Sequence, residues 1–267
     1  MTSADHIPPP ARSALEVWLR HHDERVPGFV EGLYLIGSIA LGNWRAESDI
    51  DIVAVSGRVA DTNDVDALRA VNEAINAEVP GPDIDGPFVT WADLARPPTA
   101  AVRPWTLHRE FHHDADCFEL NPAIWQTLSR HGIAVRGPSP SELDIHVDHR
   151  ALRSFISENT SGYWRSIPPS IDAALADPER VEFSAGITSW SVLGIGRMLY
   201  TARTGEVTSK SDAGRWLIGE LPHHRDLITH ALRVRDLGEC QPDGRETARA
   251  TAAFVTEVAD LIEAETS

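Results

Sequence analysis

The chain has 267 residues, 42% of them hydrophobic and 24% charged, which is the composition of a soluble globular protein. This length suffices for one large domain or two modest ones, each with its own core. The formal net charge of −16 argues against a nucleic acid partner, because neutralising backbone phosphates needs a basic face.

Neither a leader peptide nor a membrane span is expected. Residues 1–10 have no basic start and no apolar core, and no apolar run approaches the ~20 residues that cross a bilayer. Cys117 and Cys240 have no metal-ligand spacing and form no disulfide framework, so a reduced, cytoplasmic setting is the simplest expectation. We expect no membrane partner and a monomeric chain.

The N-terminal part predicts, in order, a helix, a strand, a turn, a strand and a helix, at about residues 11–23, 33–36, 37–38, 50–55 and 65–80. Either Asp61 or Asn63 can cap the second helix. The turn and the second strand contain the polar residues of chemical interest.

The turn Gly37-Ser38 suits a phosphate, because a residue without Cβ lets backbone N–H groups approach an anion. Ten residues later, Asp49 and Asp51 lie two apart in a strand, so their carboxylates emerge on one face. Each raises the pKa of the other unless a cation lies between them, and Mg²⁺ is the hard ion that binds carboxylates together with substrate phosphates. Alone, each motif is common in turns and at strand edges, but the ordered combination favours a catalytic site.

This order of strand, Gly-Ser, ten residues and Asp-x-Asp resembles the nucleotidyltransferases of the DNA polymerase β type. Within them it is most similar to the aminoglycoside adenylyltransferases that modify streptomycin and spectinomycin, over most of the chain. The resemblance implies transfer of AMP from ATP to a hydroxyl group of a small molecule and two Mg²⁺ ions held by Asp49 and Asp51. It also implies a nucleotide held by Gly37, Ser38 and Ser48.

A third predicted strand, residues 83–91, begins with acids. Activating a hydroxyl for attack on the α-phosphorus needs a base near the metals, which a carboxylate on the neighbouring strand can supply. In the resembled family a third acid, often Glu, lies on this strand. Asp85 is the chosen base and third metal ligand because it starts the apolar run. Asp83 remains the alternative, and Asp-Gly-Pro is also common in solvated turns.

The segment His108–Cys117 contains several nitrogen and oxygen ligands. His108 and His112 are spaced for one helical face, but no Glu follows the first His as the zinc metalloprotease motif requires, so a surface or interdomain segment is favoured. A helix is predicted over residues 123–131, a strand over 133–135 and a linker from Arg136. We place the domains at residues 1–145 and 146–267.

Helical periodicity dominates the second domain, with helices predicted at about residues 152–166, 171–176, 183–204, 212–221, 224–234 and 245–264. The expected fold is therefore an α/β (α+β) nucleotidyltransferase domain with a small mixed sheet, followed by an all-α helical bundle domain. The active site is expected in the cleft between them.

Two cations in the helical domain are candidate nucleotide contacts. Lys210 lies beside a helix N-terminus capped by Ser209 or Ser211, where the helix dipole and the ammonium both favour anionic oxygen. The resembled adenylyltransferases have the same order of Arg, Thr-Gly-Glu and Ser-Lys, which implies that Arg197 and Lys210 bind the triphosphate. Without the resemblance, both would be ordinary surface cations.

The helix segment before Arg197 predicts the kind of acceptor. Streptomycin-modifying relatives have acidic and aromatic side chains on that helix, whereas residues 183–190 contain no acid. Because a polycationic drug binds mainly through carboxylates, we expect weak streptomycin binding and a less cationic glycoside that stacks on Trp164 or Trp190. Glu110 is a further candidate substrate contact, since an acid elsewhere can replace the missing one.

Two alternatives to small-molecule transfer stay open. One is a nucleotide-binding regulatory or antitoxin-like protein that transfers nothing, and the other is an enzyme that AMPylates a protein. The enzyme is favoured because Asp49 and Asp51 are both intact, and a binding module would tolerate the loss of one.

Overall fold

The computed structural model describes residues 7–99 and 101–266. The chain divides into two compact units, the first ending at Asp148 and the second beginning at His149. The linker predicted from Arg136 lies inside the first unit, where Arg136 ends a strand and forms an ion pair with Asp23.

The first unit contains a six-stranded mixed sheet flanked by helices. Its strands are β1 (Gly32–Leu35), β2 (Ile50–Ser56), β3 (Ile84–Thr90), β4 (Trp105–Leu107), β5 (Glu110–His112) and β6 (Ile133–Arg136). Its helices are α1 (Pro9–Arg25), α2 (Gly37–Ala40), α3 (Thr62–Glu78), α4 (Trp91–Leu94) and α5 (Pro122–His131). The strand order is β5-β4-β3-β2-β1-β6, and β2 and β3 pair in parallel while the other neighbours pair antiparallel.

The sheet is covered on both faces, because alternate residues of its central strands enter two separate hydrophobic clusters. Ile50 and Ile52 of β2 pack in the cluster that includes α1 and α3. Val53 and Val55 pack in the cluster that includes α5. Since side chains alternate along a strand, Asp51 lies on the same face as Val53. The prediction that the carboxylates of Asp49 and Asp51 share a face was based on this alternation.

Capping residues decide where two of the helices begin. Asp61, not Asn63, caps α3: its side chain accepts from the N–H of Asp64, and the Asp64 side chain accepts from the N–H of Asp61. Asn121 caps α5 by accepting from the N–H groups of residues 123 and 124. These caps satisfy helix donors that would otherwise lack partners.

The hairpin β4–β5 was not predicted. Its turn residues His108 and Arg109 have φ values of 49° and 69°, which non-glycine side chains rarely adopt. Arg109 donates to the carbonyls of Asn76 and Val79 at the end of α3, and these contacts hold the turn in this conformation. His112 lies in a strand, so the one-helical-face spacing considered for His108 and His112 is not realised.

The second unit is all-helical. Its helices are α6 (His149–Gly162), α7 (Ile167–Leu175), α8 (Ala185–Thr204), α9 (Lys210–Glu220), α10 (Arg225–Leu237) and α11 (Arg245–Thr266). α8 is the central helix and packs against α6, α9, α10 and α11. The predicted fold class, a small mixed sheet with helices followed by a helical bundle, is confirmed. Within the described residues, no helix has the length and apolarity that a membrane span requires.

Candidate active site

The parallel pairing of β2 and β3 brings the predicted acids together. Asp51 of β2 lies directly opposite Asp85 of β3 in the register. Asp49 immediately precedes β2 and is exposed, while Asp51 is partly buried. Neighbouring strands lie ~5 Å apart, so Asp51 and Asp85 are close neighbours at the N-terminal ends of the two central strands.

Asp85 has the environment of a carboxyl group that can take up a proton. It is 3% exposed, its Oδ2 accepts from the backbone N–H of His108 at 3.0 Å, and its Oδ1 is buried without a hydrogen-bond partner. Burial raises the pKa of Asp85 to about 6, and the charges of Asp49 and Asp83 add to this rise. Asp83 instead lies 3.5 Å from the Arg109 guanidinium, which gives that carboxylate a cationic partner.

The turn at Gly37 is hydrogen-bonded to β2, the strand that contains Asp51. The N–H of Ile36 donates to the Asp51 carbonyl at 3.0 Å, and Gly37 has a φ of 56°. A Cβ at position 37 would lie 1.8 Å from Oδ2 of Asp51, so only glycine leaves room for that carboxylate. The structure therefore places the predicted phosphate turn and the predicted metal ligand in direct contact.

Ser38 and Ser48 have different surroundings. The hydroxyl oxygen of Ser38 is buried without a hydrogen-bond partner, as expected of a group whose partner is a ligand. The Ser48 hydroxyl accepts from the N–H of Arg45 at 3.2 Å, and the Ser48 N–H donates to the Arg45 carbonyl. Ser48 thus stabilises the turn that leads into β2.

The three acids Asp49, Asp51 and Asp85, called here the acid group, have the chemistry of a magnesium site. Asp49, Asp51 and Asp85 offer only oxygen, which is the donor that Mg²⁺ prefers. The unpartnered Oδ1 of Asp85 is an acceptor in need of a cation or proton. Asp83, Asp85 and His108 also offer ligand atoms within 4.8 Å of one another, but the Asp83 carboxylate is paired with the Arg109 guanidinium.

Glu119, which the sequence analysis missed, is a fourth acid of this group. It is partly buried in the segment before α5, and burial together with the charges of Asp51 and Asp85 raises its pKa to about 8. No sequence signal links it to the other acids, because it lies on no strand and 34 residues beyond Asp85. Its electrostatic coupling to both acids identifies it as their neighbour.

Glu119→Gln is expected to stabilise the metal-free protein at high pH. The folded state holds the Glu119 proton up to about pH 8, whereas an ordinary Glu releases it near 4.5, so the wild-type free energy of unfolding falls as pH rises through this window. Glutamine does not titrate, so the free energy of unfolding of the variant does not fall in this pH range. The variant should therefore exceed the wild type in stability by about 2 kcal/mol at pH 9, allowing for partial solvation, and equal it near pH 4. Urea unfolding in the presence of EDTA measures this difference.

Glu110→Gln is the matched control, because the Glu110 side chain is 79% exposed. Its unfolding curve should follow the wild type at every pH. A constant difference between Glu119→Gln and wild type across the pH range would mean that Glu119 does not titrate with the acid group.

Arg197 and Lys210 lie in the second unit. Arg197 is on α8, two turns before Gly205 ends that helix in the left-handed conformation. Lys210 is the first residue of α9, and Ser209 rather than Ser211 is the cap, accepting from the N–H of Asp212. Lys210 is also the only lysine in the sequence.

The predicted substrate contacts do not all have open surroundings. Trp164 is 4% exposed, stacks on Trp190 with ring centroids 5.0 Å apart, and packs against Gly194, where a Cβ would come within 2.4 Å of its ring. This burial contradicts the open stacking face expected of Trp164, whereas Trp190 is partly buried. Glu110 is exposed on the edge strand β5, separated from β3 by β4.

Comparison with known proteins supports both units. Residues 19–85 match the nucleotidyltransferase domain, and residues 156–261 match the C-terminal domain of aminoglycoside adenylyltransferases. Spectinomycin 9-adenylyltransferases of Staphylococcus aureus, including those of strains Mu50 and N315, are 25% identical over an alignment of 235 residues, and the match covers 79% of either chain.

A solved structure has the same fold. The spectinomycin adenyltransferase AAD(9) from Enterococcus faecialis, crystallised with ATP and spectinomycin, superposes with a TM-score of 0.68 at 16% identity, covering 93% of this chain and 99% of that one. The resemblance predicted from the Gly-Ser and Asp-x-Asp motifs is confirmed by these matches.

Proposed function

We propose that this chain, a homologue of the spectinomycin 9-adenylyltransferases built from a nucleotidyltransferase domain and an aminoglycoside adenylyltransferase C-terminal domain, moves AMP from ATP to a hydroxyl of spectinomycin or a related antibiotic. Its identification as an adenylyltransferase rests on these relatives. The observation that carries the reaction is the opposition of Asp51 and Asp85 beside the Gly37 turn.

Each residue of the site has a role in the transfer. The backbone of the Gly37 turn and the Ser38 hydroxyl bind phosphate oxygens of ATP, and Arg197 with Lys210 bind the triphosphate. Asp85 accepts the proton of the attacking acceptor hydroxyl. The acceptor oxygen bonds to the α-phosphorus, the bond from that phosphorus to the β-phosphate oxygen breaks, and pyrophosphate leaves. The buried Oδ1 of Asp85 has no hydrogen-bond partner within the described residues, so it is available to take up that proton.

Asp49, Asp51 and Asp85 would hold magnesium, and two ions are proposed by analogy with the polymerase β type. When bound, Mg²⁺ would neutralise the charge of the phosphates and of the clustered carboxylates. With the ions bound, Asp49 and Asp51 would help to orient the triphosphate, and Asp85 lies opposite Asp51 on the neighbouring strand. Glu119 lies next to Asp51 and Asp85 and holds its proton up to about pH 8 in the metal-free protein, so a bound cation would compete with that proton.

The acceptor proposal combines the relatives with the composition of α8. The relatives are named for spectinomycin, the first turns of α8 contain no acid, and Ser184, Thr188 and Trp190 line a cavity at that end of the helix. Hydroxyl groups and one aromatic ring suit a compact polar ring system better than a polycation. Spectinomycin is therefore the first acceptor to test, and weak streptomycin binding stays the expectation.

The test uses the purified chain, α-labelled ATP, Mg²⁺ and either spectinomycin, streptomycin or no acceptor. We expect label on spectinomycin, with at least tenfold less on streptomycin because a lost charge-assisted pair costs about 1.5–3 kcal/mol. Label on the protein alone would indicate self- or protein AMPylation. ATP binding without any transfer would favour the regulatory alternative, and either outcome would overturn the proposal.

Lys210→Ala is expected to weaken ATP binding by about 1.5–3 kcal/mol, the range for hydrogen bonds to charged groups. Calorimetric titration of the wild type and the variant with ATP and Mg²⁺ measures the change. Lys210→Arg is the control, since it keeps the charge at the start of α9 and should lose less. Equal ATP affinity in the alanine variant would remove Lys210 from the nucleotide site.

A further inference from the structure

The second unit contains a cluster of metal-ligating side chains that adenylyl transfer does not use. His223 and His224 lie in a 3-10 turn, Pro222–His224, between α9 and α10, and Glu257 lies on α11. We call these three residues the His–Glu cluster. One ligand atom from each residue lies within 4.8 Å of the others.

Both imidazoles face the same carboxylate. Nε2 of His223 lies 2.9 Å from Oε1 of Glu257, and Nε2 of His224 lies 2.8 Å from Oε2. The two rings are 4.3 Å apart between centroids. The three side chains therefore converge on one point from two separate elements, although 33 residues separate His224 from Glu257.

Packing holds the cluster in place while leaving one side open. The His224 ring lies edge-on against Phe254, with centroids 5.0 Å apart, and Phe254 is fully buried. The exposed fractions of the side chains are 18% for His224, 41% for Glu257 and 58% for His223. The His223 side of the cluster is therefore open to solvent.

We propose that the His–Glu cluster binds a divalent ion of the zinc class. Zinc takes imidazole nitrogen and carboxylate oxygen at ~2.0–2.2 Å in a tetrahedral arrangement, which sets its ligand atoms about 3.3 Å apart. The observed separations of 2.8 and 2.9 Å need only a small widening to reach this spacing. Two nitrogen ligands disfavour Mg²⁺, so this site differs in metal preference from the all-oxygen acids of the first unit.

A bound ion would connect the 3-10 turn after α9 to the middle of α11. Val255, Val258 and Ala259, which flank Glu257 on α11, are fully buried in the core of the second unit. The ion would thereby fix a surface turn to a core helix. Because binding to the folded state alone stabilises it, Zn²⁺ should raise the unfolding temperature of the chain.

The test is calorimetric titration of the EDTA-treated, dialysed full chain with ZnCl₂, together with the visible spectrum of the Co²⁺-loaded protein. We expect one zinc equivalent in the wild type and tetrahedral cobalt bands. His223→Ala and Glu257→Gln should each lose at least tenfold in zinc affinity, because even indirect partners of metal ligands contribute ~10–100-fold. His223 is mostly exposed, so its replacement should leave the far-ultraviolet circular dichroism unchanged.

Two controls make the result specific. His230→Asn removes another imidazole–carboxylate contact, 2.7 Å to Asp243, that lacks a second histidine. This variant should bind zinc with the affinity of the wild type. Asp51→Asn should also keep that affinity, because Asp51 belongs to the acids of the first unit. Zinc affinity unchanged in both cluster variants, or lost only in Asp51→Asn, would mean that the His–Glu cluster is a hydrogen-bonded network and not a metal site.

Discussion

Asp51→Asn is expected to lower the rate of AMP transfer by at least about a hundredfold while the fold is retained. Asparagine keeps the shape of the side chain but removes the charge opposite Asp85 on the neighbouring strand. Removing one group that stabilises charge in the transition state commonly costs about two to three powers of ten. Initial rates with saturating ATP and Mg²⁺, and a thermal unfolding curve without Mg²⁺, measure the two effects.

Asp83→Asn is the matched control for this prediction. Asp83 precedes β3, two residues before Asp85, but its carboxylate lies beside the Arg109 guanidinium. We expect less than a tenfold change in rate. A hundredfold loss in Asp83→Asn would make Asp83 the third acid in place of Asp85, and near-native turnover in Asp51→Asn would remove Asp51 from the metal site.

Gly37→Ala is expected to abolish transfer nearly as completely, because the added Cβ would lie 1.8 Å from Oδ2 of Asp51. The turn or the Asp51 carboxylate must move by more than an ångström. Misplacing a catalytic group by ~1 Å can cost about a hundredfold in rate. The φ of 56° adds a backbone cost of about 1–2 kcal/mol for alanine, so stability should fall as well.

Gly42→Ala separates the backbone cost from the collision. Gly42 has a φ of 69°, and a Cβ there would meet nothing within 4 Å. Both variants should lose the stability that the left-handed backbone costs an alanine, with a further loss in Gly37→Ala from the collision, but Gly42→Ala should keep its transfer rate within severalfold. Equal loss of transfer in the two variants would mean that backbone strain, and not displacement of Asp51, explains the Gly37 result.

The sequence by itself determined the local parts of the site. Asp49 and Asp51 were expected to share a face because side chains alternate along a strand, and the apolar run over residues 50–55 made the strand that begins at Ile50 recognisable. The helices of the second unit were predictable because each repeats its apolar positions over several turns. Asp85 could be chosen because it begins an apolar run in the order that the resembled family shares.

Only the tertiary structure decided which distant residues meet. The strands β4 and β5 have three residues each, too few to show a period, and their turn is stabilised by contacts of Arg109 with the end of α3. The opposition of Asp51 and Asp85 depends on the β2–β3 register, which local spacing does not encode. The closeness of Glu119 to these acids, the burial of Trp164 and the convergence of His224 on Glu257 likewise result from packing between segments far apart in the chain, for which a single sequence has no local pattern.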